Sequence, residues 1–262
     1  MCTPTRLTTW LDCPRRYRFT YVDRPPPPKG PPWAHSSFGA SVHAALGAWW
    51  QLPAGDRTPA SAAELVERGW QPLGYRDDAQ SDGCRAAAAA MVRRYVERLD
   101  PYDEPRGVER TVAARTQVIA VSGRVDRVDR RPSRTTGGAD ELVVVDYKTG
   151  RRPPAADEAR TSLALAIYVV GVRRTLRAEC RRVELHHLPT ETVQAFDHTE
   201  ESLARHVGRA ESIAREARAA TEFPARPGAQ CGWCDFQAAC PEGRAAAPRR
   251  ESWAAVTEPE PA

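Results

Sequence analysis

Four consecutive apolar residues, Leu142-Val143-Val144-Val145, run directly into Asp146-Tyr147-Lys148, and this segment limits the folds open to the chain. A β-branched run of that length reads as a central strand with both faces covered, so helices are expected above and below its sheet. Residues two apart on a strand share a face, which sends Asp146 and Lys148 to the same side. Charges placed at the end of such a run are costly to bury unless a metal or a mutual network compensates them.

The flanking pattern agrees. Leu7 to Tyr21 reads as a short helix interrupted near Cys13-Pro14, followed by an extended proline connector through Pro32. A helix starting at Ser36, capped by Ser36 or Ser37, carries Phe38, Val42, Leu46, Trp49 and Trp50. Two more helical patterns cover Ala62–Trp70 and Gly83–Leu99. The period then changes, and Val108–Ala114 and Thr116–Val128 read as strands, with a hairpin loop over Pro132–Asp140. Ala159–Leu176 reads as one helix, Val183–Leu188 as a strand and Thr199–Ala220 as a long helix capped by Thr199. The fold class expected is α/β, a mixed sheet flanked by helices. One domain is expected over residues 1–244, with residues 245–262 as a disordered tail.

With 38 Lys+Arg against 34 Asp+Glu, the net charge of +4 permits a nucleic-acid partner without announcing one. Lys occurs only at Lys29 and Lys148. Where arginine is the default cation, a retained lysine beside Asp146 suggests a need for a compact ammonium. No run approaches the roughly 18 apolar residues of a membrane span, and the N-terminus lacks the apolar stretch of a signal peptide. Cytoplasmic residence is therefore expected, and with it thiols that are free or metal-bound rather than paired.

Upstream of the strand stands Gly123-x-x-Asp126-x-x-Asp129. If its strand pairs with 142–148, Asp126 reaches the same place as Asp146. Two carboxylates and a backbone carbonyl suit Mg²⁺ or Mn²⁺, and a neighbouring lysine suits an attacking water or a charged phosphate. The residues alone describe a metal-dependent hydrolase or transferase.

A second constellation is Cys231-x₂-Cys234-x₅-Cys240. Three ligands are one short of a closed site, and Cys13, in Asp12-Cys13-Pro14, is the candidate for the fourth. Cys2, Cys84 and Cys180 have no comparable context. Spacing leaves zinc and iron–sulfur both open.

Together, Gly123-x-x-Asp126-x-x-Asp129 and Asp146-Tyr147-Lys148-Thr149-Gly150 resemble the nuclease core of the RecB family within the PD-(D/E)xK superfamily, over Leu7 to Pro241. The resemblance implies that Asp126 and Asp146 bind Mg²⁺ or Mn²⁺ and that Lys148 is catalytic. Ser37-Phe38-Gly39-x-x-x-His43 is similar to the family's upstream helix motif, which implies His43 as a further metal ligand. Tyr168 matches the tyrosine of a Gln-x-x-x-Tyr helix motif, but Ala164 stands where the family has glutamine. One distant cysteine with C-x₂-C-x₅-C is similar to AddB-type, CRISPR-associated and exonuclease-V-type nucleases. That likeness implies a [4Fe–4S] cluster on Cys13, Cys231, Cys234 and Cys240, stapling the two ends of the domain. The function implied is a DNA exonuclease acting on single-stranded or end-containing DNA in repair or recombination. The chain lacks a Walker-type G-x-x-x-x-G-K-[ST], so any helicase activity is expected from a partner. The alternatives are a catalytically weak iron–sulfur DNA-binding module, or a subunit of a helicase–nuclease or CRISPR spacer-acquisition complex.

Overall fold

A computed structural model describes residues 1–132 and 140–256. The chain opens on α1 (Pro4–Asp12), where the Thr3 side chain accepts the Arg6 N–H. Cys13 then takes an extended backbone, as a residue before proline prefers, and α2 (Pro14–Tyr21) begins. The interruption at Cys13-Pro14 thus breaks one expected helix into two.

Helix α3 (Ala34–Gln51) starts before the expected serine cap, and its N-cap is Trp33, which makes no side-chain capping bond. Tertiary contact replaces the cap: the Trp33 indole donates to Asp235 Oδ1 at 2.7 Å. Helix α4 (Pro59–Arg68) opens with a reciprocal capping box between Thr58 and Ser61. Helix α5 (Asp78–Val96) begins five residues ahead of Gly83, because Asp77 accepts the Gln80 N–H.

Five strands follow: β1 (Gly107–Arg115), β2 (Ala120–Arg131), β3 (Glu141–Lys148), β4 (Cys180–His187) and β5 (Thr192–Asp197). They form one mixed sheet in the order β1-β2-β3-β4-β5. Only β3 and β4 are parallel; the other neighbours are antiparallel. The expected strand from Thr116 is shortened by a tight turn, in which the Thr116 hydroxyl accepts the N–H groups of Val118 and Ile119. Most of the expected Pro132–Asp140 loop lies outside the described residues.

Between β3 and β4 the expected single helix is two, α6 (Glu158–Thr161) and α7 (Leu163–Leu176). Ser162 between them is extended, and its hydroxyl caps α7 by accepting the Leu165 N–H at 3.3 Å. Helix α8 (Glu200–Ala219) is capped by Thr199 as expected, and α9 (Pro241–Ala246) follows the last cysteine.

The layers follow from β3. Val143, Val145 and Tyr147 pack with Val42, Leu46 and Trp49 of α3 and with Val66 and Val92 of α4 and α5. Leu142 and Val144 pack on the other face with Val169 and Val172 of α7. Each of the four residues Leu142–Val145 is at most 4% exposed, which fits a strand covered on both sides. A third cluster joins Leu7 and Trp10 of α1 to Ile167 and to Ile213 of α8, so the N-terminus closes on the last long helix.

Composition reads 245–262 as a disordered tail, but the chain through Val256 lies against the fold. Ala34 N–H donates to Ser252 O at 3.0 Å, the Ser252 hydroxyl donates to Gly74 O at 2.7 Å, and Arg249 lies over Trp33. Backbone bonds and cation–π contact hold a segment that offers little apolar surface. Residues 257–262 lie outside the described residues. Among the described residues, no helix is long and apolar enough to cross a membrane.

Candidate functional site

The register of three strands sets a row of carboxylates. Val108 pairs with Arg127 and Arg110 with Val125, which places Glu109 opposite Asp126. Arg127 pairs with Val145, so Asp126 lies one step further along, toward Asp146. There the β2–β3 ladder gives way to a side chain, and Tyr147 N–H donates to Asp126 Oδ2 at 2.8 Å. Glu109 has φ 47°, an uncommon conformation for a non-glycine residue. Its effect is visible in the packing: Val108 faces the α3–α5 core whereas Val112, an even number of residues away, faces α7. Strand β1 changes face at Glu109, turning its carboxylate toward α3.

Helix α3 supplies the fourth group. His43 Nδ1 lies 3.2 Å from Asp126 Oδ1, and its ring stands edge-on to Tyr147. One turn on, Gly47 leaves room for the glutamate, since a methyl group there would sit 3.0 Å from Glu109 Cγ. His43, Glu109 and Asp126 each present a ligand atom within 4.8 Å of the other two. Lys148 Nζ lies 2.8 Å from Asp146 Oδ2 on the same side of β3.

These charges strain one another. Burial raises the Asp146 pKa and the Asp126 charge adds to this, against the opposing pull of Lys148. Burial and Asp126 likewise raise Glu109, against Arg124, whose guanidinium lies 2.9 Å away. Burial would lower His43, but its hydrogen bond to Asp126 and the surrounding carboxylates raise it above its ordinary value. Burial would also lower Lys148, yet Asp146 more than compensates and keeps the ammonium charged. Like charges gathered at partial burial are what a divalent cation relieves, and oxygen donors with one imidazole suit Mg²⁺ or Mn²⁺. The residues fit that group.

Tyr168 reaches the site from α7 across Gly123, where a methyl group would sit 2.4 Å from Tyr168 Cε1. Burial and then the charges of Asp146 and Asp126 push its phenol up to about 12. Lys148 and Thr149 also wall a cavity of about 570 Å³, together with Phe38, Met91, Arg151 and Val256.

Asp129, the last residue of the Gly-x-x-Asp-x-x-Asp pattern, serves the opposite face. It pairs with Arg127 at 2.7 Å and with Arg131 at 2.9 Å. Arg127 donates to the hydroxyls of Tyr95 and Tyr147, and Tyr95 meets His186, which meets Glu184. This buried network holds Tyr147, and so the strand that carries Asp146 and Lys148.

Cys13, Cys231, Cys234 and Cys240 line a separate cavity of about 350 Å³ between α2 and the C-terminal segment. Arg226 N–H faces Cys13 Sγ at 3.5 Å, and Gly243 N–H faces Cys240 Sγ at 3.4 Å. Burial, joined by the neighbouring Cys13, raises the Cys234 thiol pKa. Thiols with backbone N–H donors in one recess fit a thiolate-bound metal group. The two chain ends also meet directly, through Arg15 Nε on Phe223 O at 2.9 Å and Phe19 against Phe236. Cys84 and Cys180 are buried elsewhere, and Cys2 bridges to Val121 at the sheet.

The structure thus brings His43, Asp126, Asp146, Lys148 and Tyr168 together in one site and the four cysteines together in another. Glu109 is the acidic residue that sequence reasoning missed. Its signal was the turn at 116–119, about which residues 109 and 126 are symmetric.

No curated protein matches the chain. A solved structure described as "Crystal structure of SSO0001" is 13% identical, covering 92% of this chain and 86% of that one with a TM-score of 0.43. The model of the PD-(D/E)XK nuclease superfamily matches residues 2–241, a span that holds every residue of both sites. The chain belongs to the PD-(D/E)XK nuclease superfamily.

Proposed function

We propose that this chain is a metal-dependent DNA nuclease of the RecB-like type, an exonuclease on single-stranded or end-containing DNA in repair or recombination. The observation that carries the proposal is the row Glu109–Asp126–Asp146 across three strands, closed by His43 and with Lys148 2.8 Å from Asp146. Asp126 and Asp146 would hold Mg²⁺ or Mn²⁺ with His43, and Glu109 would add a carboxylate. Such a cation, when bound, would supply Lewis-acid polarisation of the phosphate and a lowered water pKa. Lys148, held protonated by Asp146, stabilises the negative charge that builds on the phosphate and fixes the attacking water. A charged ammonium does not take the proton from that water, so Lys148 acts as an electrostatic group. Tyr168, a neutral phenol at ordinary pH, donates a hydrogen bond toward the scissile region.

We also infer a [4Fe–4S] cluster on Cys13, Cys231, Cys234 and Cys240. The four thiols line one recess of about 350 Å³, and one distant cysteine with C-x₂-C-x₅-C is the arrangement that supports this reading. The cluster's role is structural, since joining Cys13 to Cys231 closes a loop of most of the chain.

The test is degradation of end-labelled single- and double-stranded DNA with Mg²⁺, Mn²⁺ or chelator. Metal-dependent loss of the terminal label supports the reading. Absence of cleavage with either metal, by protein that carries its cluster, contradicts it.

A further inference from the structure

Beyond the metal site, α6, β5 and α8 enclose a recess of about 270 Å³, lined by Arg160, Thr161, Phe196, Arg205, His206 and Arg209. Three guanidiniums and an imidazole meet there with little to neutralise them. Arg160 Nη2 has Asp157 at 3.4 Å, an exposed and loosely held pair. Among the described residues, Arg205 and Arg209 have no side-chain hydrogen bond or ion pair, and the one carboxylate whose charge acts on Arg205 is Glu201, one turn earlier on α8. They stand four apart on α8, where like charges repel. Elsewhere on the same helix the arginine problem is solved: Glu200 pairs with Arg173 at 3.0 Å and with Arg181 at 3.5 Å. Burial, then the Arg209 and Arg205 charges, lower the His206 pKa against the raising effect of the Arg160 carbonyl, which accepts from its Nε2 at 3.1 Å. Behind this wall His198 is 1% exposed, and its Nε2 has no partner.

The recess is joined to the nuclease site by a short element. Helix α6 begins at Glu158, whose charge acts on Lys148, and ends at Thr161, which lines the recess. Exposed Arg151 and Arg152 directly follow the Asp146–Lys148 strand and carry no ion pair among the described residues. A cationic recess joined through α6 to a phosphodiester-cleaving centre has one ligand chemistry in common with that centre, the phosphate diester.

We propose that the Arg160–Arg205–Arg209 recess binds a backbone phosphate of the DNA strand away from the scissile bond. The inference rests on the reading of DNA as substrate and adds where the rest of the strand lies. Arg205 and Arg209 are positioning residues, and they act on the affinity for long strands and not on the bond-breaking step.

The experiment uses the full chain and fluorescein-labelled single-stranded oligonucleotides of graded length. Affinity is read by anisotropy in chelator over a salt series, and kcat and KM are read with Mg²⁺. For the parent, affinity should rise with length and then level off. Arg205→Gln/Arg209→Gln should bind long strands roughly tenfold more weakly at low salt, with a salt slope shallower by about 0.7, the share of one phosphate contact to a single strand. Its affinity for the shortest strands, its kcat and its melting temperature should match the parent. Arg205→Glu/Arg209→Glu should deepen the loss for long strands only. Parental affinity and slope in both variants, on DNA that the parent binds and cleaves, overturns the recess while leaving the nuclease standing. Length-dependent binding lost in the variants, from a parent that never cleaves, overturns the nuclease reading and keeps the recess. A parent that binds no oligonucleotide overturns both.

Discussion

The carboxylate of Asp126 accepts the backbone N–H of Tyr147 at 2.8 Å, where the ladder between β2 and β3 would otherwise continue. One oxygen of Asp126 therefore fixes the strand that carries Asp146 and Lys148, while the other meets His43 at 3.2 Å. The same residue orders the site and charges it. Glu109 enters from the other side, turned inward by a backbone conformation that leaves the ordinary strand region.

Glu109→Gln should keep the fold and weaken divalent-cation binding by at least about tenfold, because it removes an anion at nearly constant volume. Titration of Mn²⁺ into the parent and the variant checks this directly. Equal affinities would exclude Glu109 from the ligand set.

Gly123→Ala should destabilise the protein by about 1–3 kcal/mol, since the new methyl group meets the Tyr168 ring at 2.4 Å. Gly123→Ala/Tyr168→Ala should recover much of the difference that Tyr168→Ala alone does not explain. A double-mutant cycle by denaturant melts measures that coupling, and strict additivity would mean the two sites do not touch.

How much of this was legible in the sequence follows from the residues themselves. The apolar run Leu142–Val145 fixed β3 and its two covering layers because full burial leaves little alternative. Asp126, Asp146 and Lys148 stood out for the same reason, as charges attached to buried strands. Glu109 did not, because its place depends on a register set by the turn at Thr116–Ile119, and that turn carries Thr-Gln-Val-Ile with neither glycine nor proline. Strand β5 was missed because it is an edge strand with Val193 53% exposed, so burial imposes little pattern on it. Ser162 looked like a helix-interior residue until its hydroxyl proved to be the cap of α7. Asp129 shared a motif with Asp126 yet belongs to the Arg127 network, since residues three apart on a strand point to opposite faces.

That network has its own pH signature. Burial would raise the Glu184 pKa, but hydrogen bonds from His186 and Arg182 hold it down at about 2. A depressed carboxyl stabilises the fold above its unfolded pKa of about 4.3, and the contribution is lost as pH falls toward the folded value. Glu184→Gln should therefore cost about 2 kcal/mol at pH 7, with the gap to the parent closing between about pH 4 and pH 2. Thermal melts across that range check the sign, and a constant gap would mean that Glu184 contributes packing alone.

The cysteine site is tested by colour and protection together. Anaerobically purified parent should absorb broadly near about 400 nm, as thiolate-bound iron–sulfur does. Cys13→Ala should lose this absorption as fully as Cys234→Ala, and both should become more sensitive to proteolysis. Cys84→Ala and Cys180→Ala should match the parent. Full iron and sulfide in Cys13→Ala would move the fourth ligand elsewhere, and one zinc without sulfide would make the centre a zinc staple.

The central claim is that the carboxylates of β1, β2 and β3, with Lys148, form one phosphodiester-cleaving centre. The most direct measurement is turnover of end-labelled DNA by Asp146→Asn, with DNA affinity and melting temperature measured on the same preparation. Asp146→Asn exchanges a hard anionic ligand for a neutral amide of equal size. Cleavage should fall by at least about a thousandfold, the scale on which loss of a preorganised charged group acts, while binding and stability stay near the parent. Turnover close to the parent's in that variant would contradict the account.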